Sequence, residues 1–224
     1  MGQRSQIYIR IKDNYNKLPK LYAKYFGWNF GERMISRARH GIEYILEYNT
    51  KLESDYTKEK INRMFEVNFD MKDIVISSDI IKEWIEQFSD CYKANDYIFK
   101  LCDNNDGKLF IDVDKNGEIK FCFTDYDLNI LSPEEYMNWD YENWRTSEYL
   151  EKKDVAICEE NIKFINEKAK AMTKEELEEF INFDYSKQIE ELAKNLNLEI
   201  KAIEELQENI LSIEQNQDEI DICE

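Results

Sequence analysis

The stretch KLFIDVDKNGEIKFCFTD, residues 108–125, holds two runs of alternating apolar and polar residues on either side of an Asn-Gly pair. A period of two is typical of a β-strand, and Asn-Gly favours a two-residue type I′ turn. A further run from residue 97, ahead of Asp106-Gly107, predicts a third antiparallel strand. The hairpin should place two apolar rows face to face: Leu109, Ile111 and Val113 opposite Ile119, Phe121 and Phe123.

The turn of this hairpin also imitates the start of a calcium-binding EF-hand loop. Asp112, Asp114 and Asn116 occupy its first, third and fifth positions, and Gly117 the sixth. The twelfth position needs a bidentate carboxylate but is Phe123, and the flanking runs predict strands instead of helices. We therefore predict a plain turn without a metal ion, with calcium binding as the alternative.

Two more alternating runs lie near the N-terminus. Ile7, Ile9 and Ile11 alternate with Tyr8, Arg10 and Lys12 and predict a half-buried strand. A run with Leu21, Ala23 and Tyr25 at alternate positions predicts a second strand. The short loop between them indicates that the two strands pair as a hairpin.

Residues 31–48 predict an amphipathic helix. Ile35, Ala38, Ile42 and Ile45 recur at spacings of three and four and should face a core. Another face carries Arg33, Arg37, His40, Tyr44 and Glu47, which are helix neighbours at the same spacings. This basic face has three interpretations: it binds phosphate, it pairs with the acidic body of the chain, or it docks an acidic partner.

The rest of the chain is dominated by helical patterns, at about 57–68 and 78–92 and through most of the last hundred residues. Ser132-Pro133 with Glu135, and Thr173 with Glu176, predict capped helix starts. The fold class is therefore α+β: a mainly antiparallel sheet packed with helices, followed by a helical C-terminal region. We expect an α+β domain over residues 1–130 and a helical region over residues 131–224.

A loose heptad of Ile and Leu covers residues 189–213. This pattern is typical of an amphipathic helix and is interrupted at Glu199. We expect the helix to lie on the body of the protein, with a homodimer through this segment as the alternative.

Charge is distributed unevenly along the chain. The net charge is −18, but residues 1–50 carry nine Lys or Arg and four Asp or Glu, a net of +5, which leaves −23 for the other 174 residues. The five cysteines include no C-x-x-C pair, which favours reduced thiols in a cytoplasmic protein. No apolar run has the length of a signal peptide or a membrane span.

Motifs for catalysis are lacking. The only histidine is His40, and the sequence contains no motif for a catalytic nucleophile that this histidine could activate as a base. The common spacings of zinc ligands and of nucleotide-binding loops do not occur either. We therefore predict a protein with no catalytic residues and no cofactor, while a metal-dependent hydrolase built from scattered carboxylates stays open.

The tract EEYMNWDYENWRTSEYLEKKD, residues 134–154, is rich in Trp and Tyr among carboxylates. Trp and Tyr dominate the binding energy of many interfaces, so Trp139 and Trp144 are candidate binding residues. The alternative is that they belong to the core.

The segments MGQRSQIYIR and YFGWNFGERMISRARHGIEYI, within residues 1–48, resemble the opening of proteins from phages and prophages of low-GC Gram-positive bacteria. Small acidic phage proteins of this kind resemble anti-defence proteins, including anti-CRISPR inhibitors. The resemblance implies a non-enzymatic inhibitor in the host cytoplasm. It would bind a basic defence protein, such as a nucleic-acid-guided nuclease, without contacting nucleic acid or membrane. The alternative is an enzyme or binding module for a phosphate-containing small molecule or nucleotide, using Arg33, Arg37 and His40.

Overall fold

In the computed structural model, residues 4–12, 18–26, 29, 31–48, 99, 106–185, 187–188 and 194 are described. Six strands and four α-helices lie within these ranges. In chain order they are β1 (Ser5–Ile11), β2 (Lys20–Phe26), α1 (Glu32–Tyr48), β3 (Lys108–Val113), β4 (Ile119–Thr124), β5 (Ile130–Leu131), α2 (Pro133–Tyr141), α3 (Lys152–Lys168), β6 (Lys170–Ala171) and α4 (Lys174–Asn182), with a 3₁₀ turn at Trp144–Thr146 after α2.

The strands form one mixed sheet in the order β2-β1-β3-β4-β5. Among the pairings in the described part of the chain, β1–β2, β3–β4 and β4–β5 are antiparallel, while β1–β3 and β4–β6 are parallel. The predicted α+β class is confirmed. The parallel contact between β1 and β3 joins segments that are about one hundred residues apart in sequence and was not predicted.

The two predicted hairpins are confirmed. β1 pairs with β2, and β3 pairs with β4 in the expected register, with Leu109 opposite Phe123 and Val113 opposite Ile119. The predicted third strand reaches only one described residue, Phe99, whose backbone is helical. The prediction of a strand is therefore wrong at Phe99. Residues 97–98 and 100–105 lie outside the described residues.

The predicted type I′ turn is wrong. Such a turn requires positive φ at both Asn116 and Gly117, but only Gly117 has it, at +82°. The loop has three residues, because Asp114 N–H donates to Glu118 O at 3.0 Å. The Asp114 carboxylate accepts hydrogen bonds from the Asn116 and Glu118 N–H groups, both at 2.8 Å, and so orders the loop from inside.

Both faces of the sheet are covered. All seven residues of β1 are buried, so the prediction of a half-buried strand is wrong. Ile7, Ile9 and Ile11 belong to a core that includes residues of α1, α2 and α3. The opposite face carries Tyr8, which packs with Phe99 and residues of α4 in a second core. The alternation in β1 did not reveal this second core, because the side chains that β1 places on this face are aromatic and polar and were expected to face solvent.

Helix α1 packs as its periodicity predicts. Ile35, Ala38 and Ile42 are fully buried, and Ile45 is 3% exposed. Arg39 pairs with Glu43, one turn further along the helix, at 3.6 Å. Its guanidinium also reaches across to α3.

Both predicted capping boxes are present, at Ser132 with Glu135 and at Thr173 with Glu176. Helices α2 and α3, which follow residue 130, pack against the same sheet as the N-terminal strands. The predicted helices at 57–68 and 78–92 and the heptad at 189–213 lie outside the described residues, apart from Lys194. None of the helices described here is both long and apolar enough to cross a membrane.

Candidate protein-binding surface

An acidic surface runs from the end of β4 through β5 and α2. Residues 121–144 contain six Asp or Glu and no Lys or Arg. Asp127, Glu135 and Glu142 are exposed, and the other three are partly buried. The wider segment 106–185 carries 21 Asp or Glu against ten Lys or Arg, a net charge of −11. This surface therefore attracts cationic groups at long range.

Two aromatic rings stand exposed in this acidic surface. Tyr126, in the turn after β4, is 57% exposed, and Trp139, on α2, is 38% exposed. Their ring centroids lie 6.5 Å apart with an interplanar angle of 41°. Trp139, predicted from sequence as a binding residue, is therefore available to a partner, while Tyr126 was missed. An aromatic residue between two aspartates in a turn was the signal that could have revealed Tyr126.

Trp144, the second candidate binding tryptophan, is fully buried. Its indole N–H donates to Glu134 at 3.1 Å, and Arg145 stacks on its ring at 4.4 Å from the centroid. Because Trp144 offers no surface to a partner, the structure places it in the core.

Below the acidic surface, Asp140 holds a network of hydrogen bonds. Its carboxyl group accepts a hydrogen bond from Gly31 N–H at 2.8 Å and is hydrogen-bonded to Tyr136. Burial, followed by the charges of Asp106 and Glu32, raises the pKa of Asp140 to about 8 against the lowering effect of these hydrogen bonds.

The Tyr136 hydroxyl lies within hydrogen-bond reach of two oxygen acceptors. It donates to the main-chain oxygen of Asp106 at 2.9 Å, and its hydrogen bond with the Asp140 carboxyl group lowers the pKa of that group. Through Gly31 and Tyr136, the Asp140 carboxyl group joins the start of α1 to α2.

The basic face of α1 is only partly open to solvent. Arg33 is exposed and lies 3.9 Å from Glu32, whereas Arg37 and His40 are half-buried and Tyr44 packs at the edge of the core. The Arg37 guanidinium stacks on the Phe26 ring at 4.6 Å from its centroid. Burial and then the charge of Arg33 lower the pKa of Arg37 to about 10. The Glu47 side chain lies outside the described residues.

Part of the basic N-terminal charge pairs internally. Arg39 of α1 contacts Glu160 at 3.0 Å and Asn161 at 2.9 Å, both on α3. Arg10, which is fully buried, donates two hydrogen bonds to Asp112 and two to Glu179. Sequence reasoning missed Arg10 because it was expected on a solvent-facing side of β1.

Asp112 and Asp114, two residues of the EF-hand-like alternative, line a polar pocket of about 90 Å³. It is lined by two lysines and five carboxylates: Lys12, Lys120, Asp112, Asp114, Glu118, Glu176 and Glu179. The Asp112 carboxylate forms ion pairs with Arg10 and Lys12. The Asp114 carboxylate accepts hydrogen bonds from main-chain N–H groups. No group of His, Cys, Asp and Glu side chains that could hold a metal ion occurs in the described ranges.

The two described cysteines are poor nucleophiles. Cys122 and Cys158 are free thiols and both are buried. Burial raises the pKa of Cys122 above its usual range and is the main cause that raises the pKa of Cys158 to about 12. Both thiols therefore stay protonated at neutral pH.

The acidic surface with its exposed aromatic pair suits the recognition of a basic protein, and the basic face of α1 suits an anionic ligand. Comparison of the chain with models of protein families, with curated proteins and with solved structures gives no match.

Proposed function

We propose that this protein is a non-enzymatic, phage-encoded inhibitor of a bacterial defence system. It binds a basic surface of the defence effector through exposed carboxylates and so competes with nucleic acid for that surface. The observation that carries the proposal is the acidic surface at residues 121–144, which has no Lys or Arg and, apart from the largely buried Asp140, contains five carboxylates: Asp125, Asp127, Glu134, Glu135 and Glu142. The resemblance of residues 1–48 to phage and prophage proteins supports the biological setting, the host cytoplasm.

The experiment adds the purified protein to a nucleic-acid-guided nuclease from a Gram-positive host and measures cleavage of target DNA. We expect inhibition that excess nucleic acid relieves and that added salt weakens, since screening reduces the attraction between charged surfaces. No inhibition across a panel of such nucleases at low salt would contradict the proposal.

Matched variants locate the contact. Asp127→Asn with Glu142→Gln removes two exposed charges from the acidic surface. Glu167→Gln with Glu178→Gln is the control, because it removes two exposed charges from α3 and α4, outside the acidic surface. In each case the carboxylate oxygen lies 3.9 Å from the Nζ atom of a lysine one turn earlier in the same helix. The first pair should weaken inhibition and the second should not.

A second candidate function is binding of a phosphate-containing small molecule by the basic face of α1. It is favoured by Arg33 and Arg37, which lie one turn apart with Arg37 held against Phe26. Guanidinium groups match phosphate oxygens in shape and charge. Calorimetry with inorganic phosphate and ATP tests this function. Saturable binding that Arg37→Gln abolishes and Lys163→Gln retains supports it, and absence of binding to either probe contradicts it.

A further inference from the structure

The exposed pair Tyr126 and Trp139, here called the aromatic platform, has a geometry suited to one particular side chain. The two rings come from neighbouring elements, the turn after β4 and helix α2, and both keep a large fraction of their surface in solvent. Their ring centroids lie 6.5 Å apart, and the planes of the rings are inclined by 41°.

The platform is ordered before any partner binds. Trp139 packs on the buried Tyr136, with ring centroids 6.0 Å apart. It also lies close to the backbone at Gly107, where an added Cβ would come within 3.2 Å of the indole. A rigid ring loses little conformational entropy on binding, which favours its use as an anchor.

The turn that carries Tyr126 is held in the same way. The Asp125 carboxylate accepts hydrogen bonds from Asp127 N–H at 2.9 Å and from Asn129 N–H at 2.9 Å. The main-chain oxygen of Tyr126 accepts a hydrogen bond from Lys108 Nζ at 2.9 Å. Both sides of the platform are therefore anchored to the sheet.

The charge around the platform selects a cationic ligand. Asp127 is adjacent to Tyr126, and Glu142 follows Trp139 by three residues. Two cations lie nearby, but Lys108 is buried and donates to the Tyr126 carbonyl oxygen, and Arg145 is paired with Glu134 and Glu159, so the exposed charge beside the platform is negative. A cation over an aromatic face is attracted by the ring, and a planar guanidinium also stacks on it, which an ammonium group cannot do. The protein uses this stacking internally, where Arg145 lies 4.4 Å from the Trp144 centroid.

We propose that the aromatic platform binds an arginine side chain of the basic partner and prefers arginine to lysine. This inference rests on the proposed function for the partner's identity, but the platform itself is tested without that partner. An exposed cation–π contact strengthens the binding of either cation by about 2–5-fold, and the stacking that only a guanidinium forms should make the arginine ligand the tighter of the two, by up to about 5-fold.

The test uses an oligoarginine and an oligolysine peptide of equal length, with binding measured by calorimetry at two salt concentrations. We expect both peptides to bind, both to weaken with salt, and oligoarginine to bind more tightly than oligolysine, by up to about 5-fold. Trp139→Ala should remove the preference by weakening oligoarginine binding more than oligolysine binding, because the lysine ligand loses only the cation–π attraction and the arginine ligand loses the stacking as well. Tyr126→Ala provides a second variant that leaves the contact with Gly107 in place, and it should reduce the preference.

Tyr149→Ala is the control, because Tyr149 is 79% exposed and lies outside the platform. It should keep the full preference for arginine. Equal affinity for the two peptides in the unchanged protein overturns the inference, as does an equal loss of both affinities in Trp139→Ala with an unchanged melting temperature. Dissociation of a dimer by Trp139→Ala would assign the platform to a second copy of the chain and also overturn it.

The two proposals fail in different ways. If the protein prefers oligoarginine but inhibits no nuclease, the proposed function is wrong and the arginine preference of the platform stands. If the protein inhibits a nuclease but binds both peptides equally, the proposed function stands and the arginine preference of the platform is wrong.

Discussion

Replacement of Asp140 by asparagine should make the protein more stable, and the gain should grow with pH. The unfolded carboxyl group ionises near pH 3.8, while the folded one keeps its proton until about pH 8. Between these values the folded state binds more protons than the unfolded state, so the contribution of Asp140 to stability falls as pH rises. Asparagine copies the neutral acid: its amide oxygen accepts from Gly31 N–H, and its NH₂ group donates to Tyr136.

The size of the effect follows from the pKa of Asp140. Each pH unit inside the window changes the free energy of unfolding by about 1.4 kcal/mol. From pH 5 to pH 8 the difference between the variant and the unchanged protein should therefore grow by about 4 kcal/mol for a fully desolvated group. Asp140 keeps partial contact with solvent, which reduces the expected growth to about 2 kcal/mol. For a chain of this size that is a difference of about 4–8 °C in melting temperature.

The assay is urea unfolding of both proteins at several pH values between 5 and 8. Asp127→Asn serves as the control, because it removes the same charge from an exposed turn and should show no growing gain. Parallel stability curves for Asp140→Asn and the unchanged protein would refute the reasoning, since they would mean that Asp140 is ionised in the folded state. A variant that is less stable at every pH would refute it too.

Three further substitutions test the packing of the sheet. Arg10→Gln should lower the free energy of unfolding by about 3–5 kcal/mol in urea, because it leaves the Asp112 carboxylate without its buried partner. Arg145→Gln, which breaks exposed ion pairs and the stacking of the guanidinium on Trp144, should cost about 1–2 kcal/mol in the same assay, and an equal cost for the two would contradict the difference in burial. Gly107→Ala should cost about 1–3 kcal/mol by thermal melting, since φ is +82° and the new Cβ would collide with the Thr124 carbonyl oxygen. An unchanged melting temperature would mean that this turn relaxes freely.

The sequence by itself determined the features that depend on residues close together in the chain. The register of the β3–β4 hairpin, the core face of α1 and the two capping boxes follow from alternation, from helical spacing and from hydrogen bonds over three residues. Each of these has one favourable local solution, because a shift of one residue would turn apolar side chains to solvent or leave helix N–H groups without acceptors.

Only the tertiary structure decided which distant residues meet. The parallel pairing of β1 with β3 brings Arg10 against Asp112 across 102 positions of sequence, and α4 then adds Glu179 and covers the second face of the sheet. The exposure of Trp139, the burial of Trp144 and the raised pKa of Asp140 depend on the same packing. Burial and desolvation arise from all the elements around a side chain, so no pattern within a short window of sequence contains them.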